Sequence, residues 1–162
     1  MPLHHVSASA IIPAPPARVY GILADYRIGH PGILPQPPFH SYEVESGGQG
    51  AGTIIRFQMT AMGRTQSFRG AVTEPEPRRV LVESYFDTRT VTTFIVDPHA
   101  GGEQSRVTFS TDLEIRSGLA GLLERFFITR FLKKTYRREL QNLSRAAANS
   151  SPPSQGEVGG VR

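Results

Sequence analysis

The chain has 162 residues with no Cys and no Trp, and its 18 basic residues against 14 acids leave a formal charge of +4. Absence of Cys excludes a disulfide framework and any thiolate-held zinc, haem or iron–sulfur group. No apolar run approaches the roughly 18 residues of a membrane span, and the first residues lack a basic start followed by an apolar block, so a soluble, cytoplasmic protein is expected.

A chain of this length reads as one domain with enough volume for its own core. That domain is expected over residues 1–148. Residues 149–162, rich in Ser, Pro and Gly, have little to bury and are expected to be a disordered tail. The charge is unevenly placed. Between Arg116 and Ala148 there are eight basic residues and two acids, a local charge of +6, which leaves −2 for the rest of the chain.

In chain order, His4 to Ile12 reads as a strand ended by Pro13. Pro15 and Pro16 open a helix, where a missing N–H costs nothing, and Val19, Tyr20, Ile22, Leu23 and Tyr26 form its apolar face. The prolines at 31, 35, 37 and 38 allow only one short helical turn, around Ile28 to Leu34. Phe39 to Glu45 is the next strand. Ile55 to Ala61, Thr65 to Glu74, Arg79 to Phe86, Thr90 to Val96 and Arg106 to Ile115 follow, several alternating apolar with polar residues. Six consecutive strands with short connections form an antiparallel meander.

After Ser117, which suits an N-cap, apolar residues recur from Leu119 to Leu143 in steps of 3, 4 and 1, the stripe of a helix about 43 Å long. A curved antiparallel sheet needs its concave face covered, and this Phe-rich helix is the only element large enough.

The run Ile12-Pro13-Ala14-Pro15-Pro16-Ala17-Arg18-Val19-Tyr20-Gly21-Ile22-Leu23-Ala24-Asp25-Tyr26 carries a resemblance. So do the segment Gly70 to Leu81, with its turn at Glu74-Pro75-Glu76-Pro77, and the terminal helix. Over residues 4 to 147 the chain resembles the START-like, or SRPBCC, superfamily, which includes polyketide cyclase/dehydrase-like, lipid-transport and Bet v 1-like proteins. The resemblance implies an α+β helix-grip fold. A curved antiparallel seven-stranded sheet wraps around a long C-terminal helix, two short helices follow strand 1, and an apolar cavity lies between sheet and helix. Many members have a Trp-Pro pair where this chain has His30-Pro31, which implies a more polar cavity mouth.

Periodicity alone makes Phe57, Met59, Phe109, Thr111, Phe126, Phe127 and Phe131 an ordinary packed core; the resemblance makes them a ligand-binding wall. Alternation leaves the parity of the strands over 79–86 and 90–96 open. The preference of Glu83 for water turns Val82 and Ser84 inward. His30, placed at the cavity mouth, is the candidate to shuttle a proton or bind a polar ligand group, against the reading of a surface loop histidine.

Asp25, Glu83 and Asp112 are the carboxylates considered as acid or base. Asp25 fits a helix-end cap, and alternation puts Glu83 and Asp112 on the solvated sheet face. The histidines lack metal-ligand spacing, so no metal and no cofactor is expected. Gly47 to Gly52 lacks the following helix and Lys of a phosphate loop and reads as a flexible turn.

The basic helix admits three readings. It is a solvated face with Arg stems covering apolar surface, a transient contact with anionic lipid headgroups, or a nucleic-acid surface. The last is not expected, because the aromatics lie on the stripe assigned to burial and are unavailable for stacking. The function expected is binding or transport of a small hydrophobic ligand (lipid, quinone or polyketide-like). The alternative is a cyclase or dehydratase that needs an acid or base inside the cavity.

Overall fold

A computed structural model describes residues 1–149; of the tail expected over 149–162, Asn149 is instead the last residue of a helix and the rest lies outside the described residues. The elements run β1 (Leu3–Ile12), α1 (Pro16–Ala24), α2 (Gly29–Ile33), β2 (Phe39–Ser46), β3 (Ile54–Ala61), β4 (Arg64–Glu76), β5 (Val80–Tyr85), β6 (Val91–His99), a 3-10 turn (Ala100–Gly102), β7 (Gln104–Glu114) and α3 (Gly118–Asn149). All seven strands form one antiparallel sheet in the order β1-β7-β6-β5-β4-β3-β2. Strands β2 to β7 are the meander, and β1 pairs with β7 along its whole length, from Leu3 opposite Glu114 to Ile12 opposite Ser105. This is the helix-grip arrangement.

The sheet curves where its register slips. Shifts occur between His40 and Glu43 and between Val44 and Ser46 on β2, and between Thr73 and Glu76 on β4. Such extra residues bend the strand that carries them. Pro75, which lacks an N–H to give to a ladder, falls inside the β4 shift.

The Gly47 to Gly52 loop is pinned in place. The Tyr26 N–H donates to the Gly48 carbonyl at 2.9 Å, and the Gly50 N–H donates to the Ala24 carbonyl at 2.8 Å. Gly47, Gly48, Gly50 and Gly52 all have positive φ, which explains the glycine run without any phosphate.

Helix α3 has two unlike halves. Its C-terminal half buries Thr135, Tyr136, Glu139, Leu140, Leu143 and Ala147. That half meets the core built from Val19, Tyr20 and Leu23 of α1 with Phe94, Val107 and Phe109 of the sheet. The N-terminal half departs from the expected buried stripe. Leu119, Leu122, Leu123 and Phe126 are 60–83 % exposed and Phe127 is 48 % exposed. The stripe reaches farther than the sheet surface available to cover it.

Candidate functional site in the cavity under the long helix

Between the concave face of the sheet and α3 lies a cavity of about 940 Å³. Its walls are mainly apolar: Phe57 and Met59 from β3, Phe68 from β4, Phe94 from β6, and Ile128, Phe131 and Leu132 from α3. Phe86, Met62 and Phe127 line it while remaining largely exposed, and they mark its open side.

The inner end is polar. Leu81, Glu83 and Tyr85 are the inward parity of β5, the reverse of the expectation, with Val82 half-buried on the other face and Ser84 exposed. Glu83 stands opposite Thr92 in the β5–β6 ladder and is only 3 % exposed. The water preference that argued it outward is outweighed because the structure supplies partners. The Tyr26 hydroxyl donates to Glu83 Oε1 at 2.9 Å and the Tyr85 hydroxyl donates to Oε2 at 2.5 Å. A buried carboxylate is tolerated when both oxygens are hydrogen-bonded.

His30 belongs to this cluster and not to the mouth; it is 3 % exposed. Its Nδ1–H donates to the Leu23 carbonyl at 2.7 Å, since a carbonyl can only accept. That turns Nε2 toward Glu83 Oε1, 3.6 Å away. The imidazole is stacked on Tyr26 with ring centroids 4.6 Å apart and meets the edge of Phe94 at 5.2 Å. Pro31 after it and the Asp25 cap before it hold the turn: the Asp25 carboxylate accepts from the N–H groups of Arg27, Ile28 and Gly29 at 3.1–3.2 Å.

From the opposite wall α3 supplies Tyr136 and Glu139. The Tyr136 hydroxyl bonds Thr111 Oγ1, which in turn bonds Thr92 Oγ1 at 2.9 Å. Glu139 is 2 % exposed, lines the cavity, and among the described residues its carboxyl has no hydrogen-bond partner. Burial, with the charge of Glu83 adding to it, holds the Glu139 carboxyl well above the usual carboxylate range, which favours its protonated form. Burial first and Glu83 second likewise push the Tyr26 and Tyr85 phenols well above their ordinary value.

Of the residues expected to bind ligand, His30, Phe57, Met59, Thr111, Phe127 and Phe131 line this cavity. Val82 and Ser84 do not, for the parity reason above. Phe109 is fully buried beneath the wall, edge-on to Phe94 at 4.8 Å and to Tyr136 at 5.9 Å. Phe126 points outward at 60 % exposure, so the premise that all helix aromatics are buried is also corrected. Asp112 does face solvent, where its carboxylate lies 2.7 Å from His5 Nδ1.

Sequence reasoning turned Glu83 outward and passed over Glu139 and the tyrosines. Glu139 had a legible signal: it lies three residues after Tyr136 and four before Leu143, on the apolar stripe itself.

Fold and cavity together are the helix-grip arrangement that the resemblance to START-like proteins implied. The sequence profile described as polyketide cyclase / dehydrase and lipid transport matches residues 4–148, and the chain belongs to that family. Among solved structures the chain is similar to the KanY protein, with 26% identity, TM-score 0.79, and coverage of 91% of this chain and 99% of that one. It is also similar to a Thermus thermophilus protein, TTHA0849, at 27% identity and TM-score 0.71 over 91% and 100% of the two chains. The Zhui aromatase/cyclase from Streptomyces sp. R1128 shares the fold at 18% identity, TM-score 0.76, over 96% and 99%. No curated protein sequence matches the chain. Among the described residues no helix is long and apolar enough to cross a membrane.

Proposed function

We propose that this protein binds a small, largely apolar ligand that carries oxygen functions at one end. The observation behind this is the polarity gradient of the cavity, Phe and Met walls leading to the Glu83, His30, Tyr85 and Glu139 cluster. Such a pocket takes its affinity from the walls and its orientation from a few fixed polar groups. A wholly apolar lipid tail would leave that cluster unanswered, so a hydroxylated aromatic or polyketone-like ligand fits better than an alkane chain. Native mass spectrometry of the purified protein, with thermal shifts across fatty acids and hydroxylated aromatics, tests this. The expected result is stabilisation by the oxygenated aromatics that is weakened in Glu83→Gln. An empty protein with no shift from any of them overturns it.

One observation favours acid–base catalysis on that ligand. Glu139 is buried with no hydrogen-bond partner of its own among the described residues, its carboxyl pushed toward the protonated form, and it faces a cavity that Glu83 also lines. A proton donor and a proton acceptor across one apolar space are what enolisation, cyclisation or dehydration of a polyketone requires. In this reading the Glu139 O–H donates its proton to a ligand carbonyl oxygen, Glu83 takes the one proton lost from the adjacent carbon with His30 Nε2 beside it at 3.6 Å, and the walls exclude water. Exchange of the α-protons of a bound β-diketone into deuterated water, followed by NMR, reads this directly. Acceleration by wild type that drops about 100-fold in Glu139→Gln, with binding retained, is expected. Equal exchange in the variant removes the catalytic reading and leaves the binding one intact.

A further inference from the structure

The outward face of α3 has an order along its axis that solvation alone does not explain. At about 100° per residue, Leu119, Leu122, Leu123 and Phe126 share one face, and Arg130, Lys133, Lys134 and Arg137 continue that face over the next turns. All eight are exposed. Among the described residues no carboxylate pairs with any of the four cations. The acid nearby, Glu124, is engaged with Arg116 at 3.3 Å and lies on the cavity side of the helix.

We propose that this face docks on an anionic lipid surface, with the leucines and Phe126 among the acyl chains and the four cations at the phosphates. The spacing suits that arrangement. Apolar helix faces sink about 5–10 Å below the headgroups, and the cations follow Phe126 by about 6–16 Å along the axis. A second copy of the chain would answer the leucines but not the charges, since this face carries no acid to offer in return. The patch is also continuous with the cavity: Phe127 borders both, and the exposed Met62 and Phe86 line the same open side. A docked molecule therefore presents its cavity to the bilayer, and a poorly soluble ligand can pass without crossing water. The surface stands independently of the cavity chemistry, because its test reads neither turnover nor ligand affinity.

The full chain is pelleted with phosphatidylcholine vesicles, with and without phosphatidylglycerol. Pelleting is expected on the anionic vesicles, weakening with added salt. Leu122→Ser with Phe126→Ser and, separately, Lys133→Glu with Lys134→Glu are each expected to reduce it by about tenfold or more. All four positions are exposed and outside the cavity lining, so folding and any thermal shift by a cavity ligand stay as in wild type. No pelleting on anionic vesicles overturns the proposal, as does pelleting that neither pair of substitutions reduces. A dimer in solution that Leu122→Ser with Phe126→Ser dissociates, without vesicle binding, overturns it in favour of self-association.

Discussion

Glu83 and Glu139 come from a strand and a helix 56 positions apart, yet the charge of one raises the pKa of the other. Glu83 is held by two phenols; Glu139 has none, and burial first and Glu83 second push its carboxyl well above the usual carboxylate range. Two consequences follow from the sign of that shift. A carboxyl whose pKa is raised in the folded state binds more protons there than in the unfolded chain. Its contribution is complete below the ordinary value of 4.5 and is lost as pH rises toward the folded value. Glu139→Gln is therefore expected to flatten the fall in stability above that pH, read as Tm against pH. Glu139→Leu removes a buried polar group with no partner and is expected to stabilise by about 1–3 kcal/mol, while abolishing α-proton exchange. Glu83→Gln takes away one of the two causes acting on Glu139, so the Glu139 carboxyl should titrate lower, though still above 4.5 because it remains buried; carbon-13 NMR of the side-chain carboxyl measures it.

At the scale of the element, α3 is one helix with two environments. Its C-terminal half is gripped by α1 and the core, with Leu143 fully buried; its N-terminal half spans the open side of the cavity with Leu123 and Phe126 in solvent. Leu143→Ala leaves a cavity and should cost about 2–5 kcal/mol, whereas Leu123→Ser should stay within about 0.5 kcal/mol, both by urea denaturation. Comparable losses at the two sites would mean that the N-terminal half is packed as firmly as the other. Strand β5 shows the same dependence on context. Its alternation was legible, but Leu81-Val82-Glu83-Ser84-Tyr85 offers apolar residues on both parities, and the register with β4 and β6 together with the Tyr26 partner for Glu83 goes with the one that faces in.

For the whole molecule, the cavity is bounded by strands from β2 to β7, by α2 and by α3, so a bound ligand touches nearly every part of the fold. Occupancy stabilises the folded state by mass action: about 2.7 kcal/mol at roughly a hundredfold excess over Kd, a Tm rise of about 5–10 °C for a chain of this size. Amide exchange should slow most in the N-terminal half of α3, where Phe127, Ile128 and Phe131 gain contacts, and least in the Leu140 to Ala147 turns, which are already packed. Uniform slowing along α3 would argue that the two halves open together.

The order of elements, the meander, the proline-started first helix, the short second one and the long basic helix were all determined by the sequence. Periodicity and Pro or Gly punctuation are local, and they survive whatever the rest of the chain does. The family was legible for the same reason, through the run from Ile12 to Tyr26. What the cavity contains was decided by tertiary structure. Phe109 became core and not wall, Phe126 turned to solvent, and His30 was carried from an expected mouth to the inner end. Above all, Glu83 and Glu139 turned inward, against the desolvation cost that makes an isolated carboxylate seek water. Their cost depends on groups brought from distant parts of the chain: Tyr26 for Glu83, and for Glu139 the buried surroundings and the Glu83 charge that favour its protonated form. No local pattern encodes that compensation, so the charged end of the site becomes visible only once the sheet and the helix have closed on it.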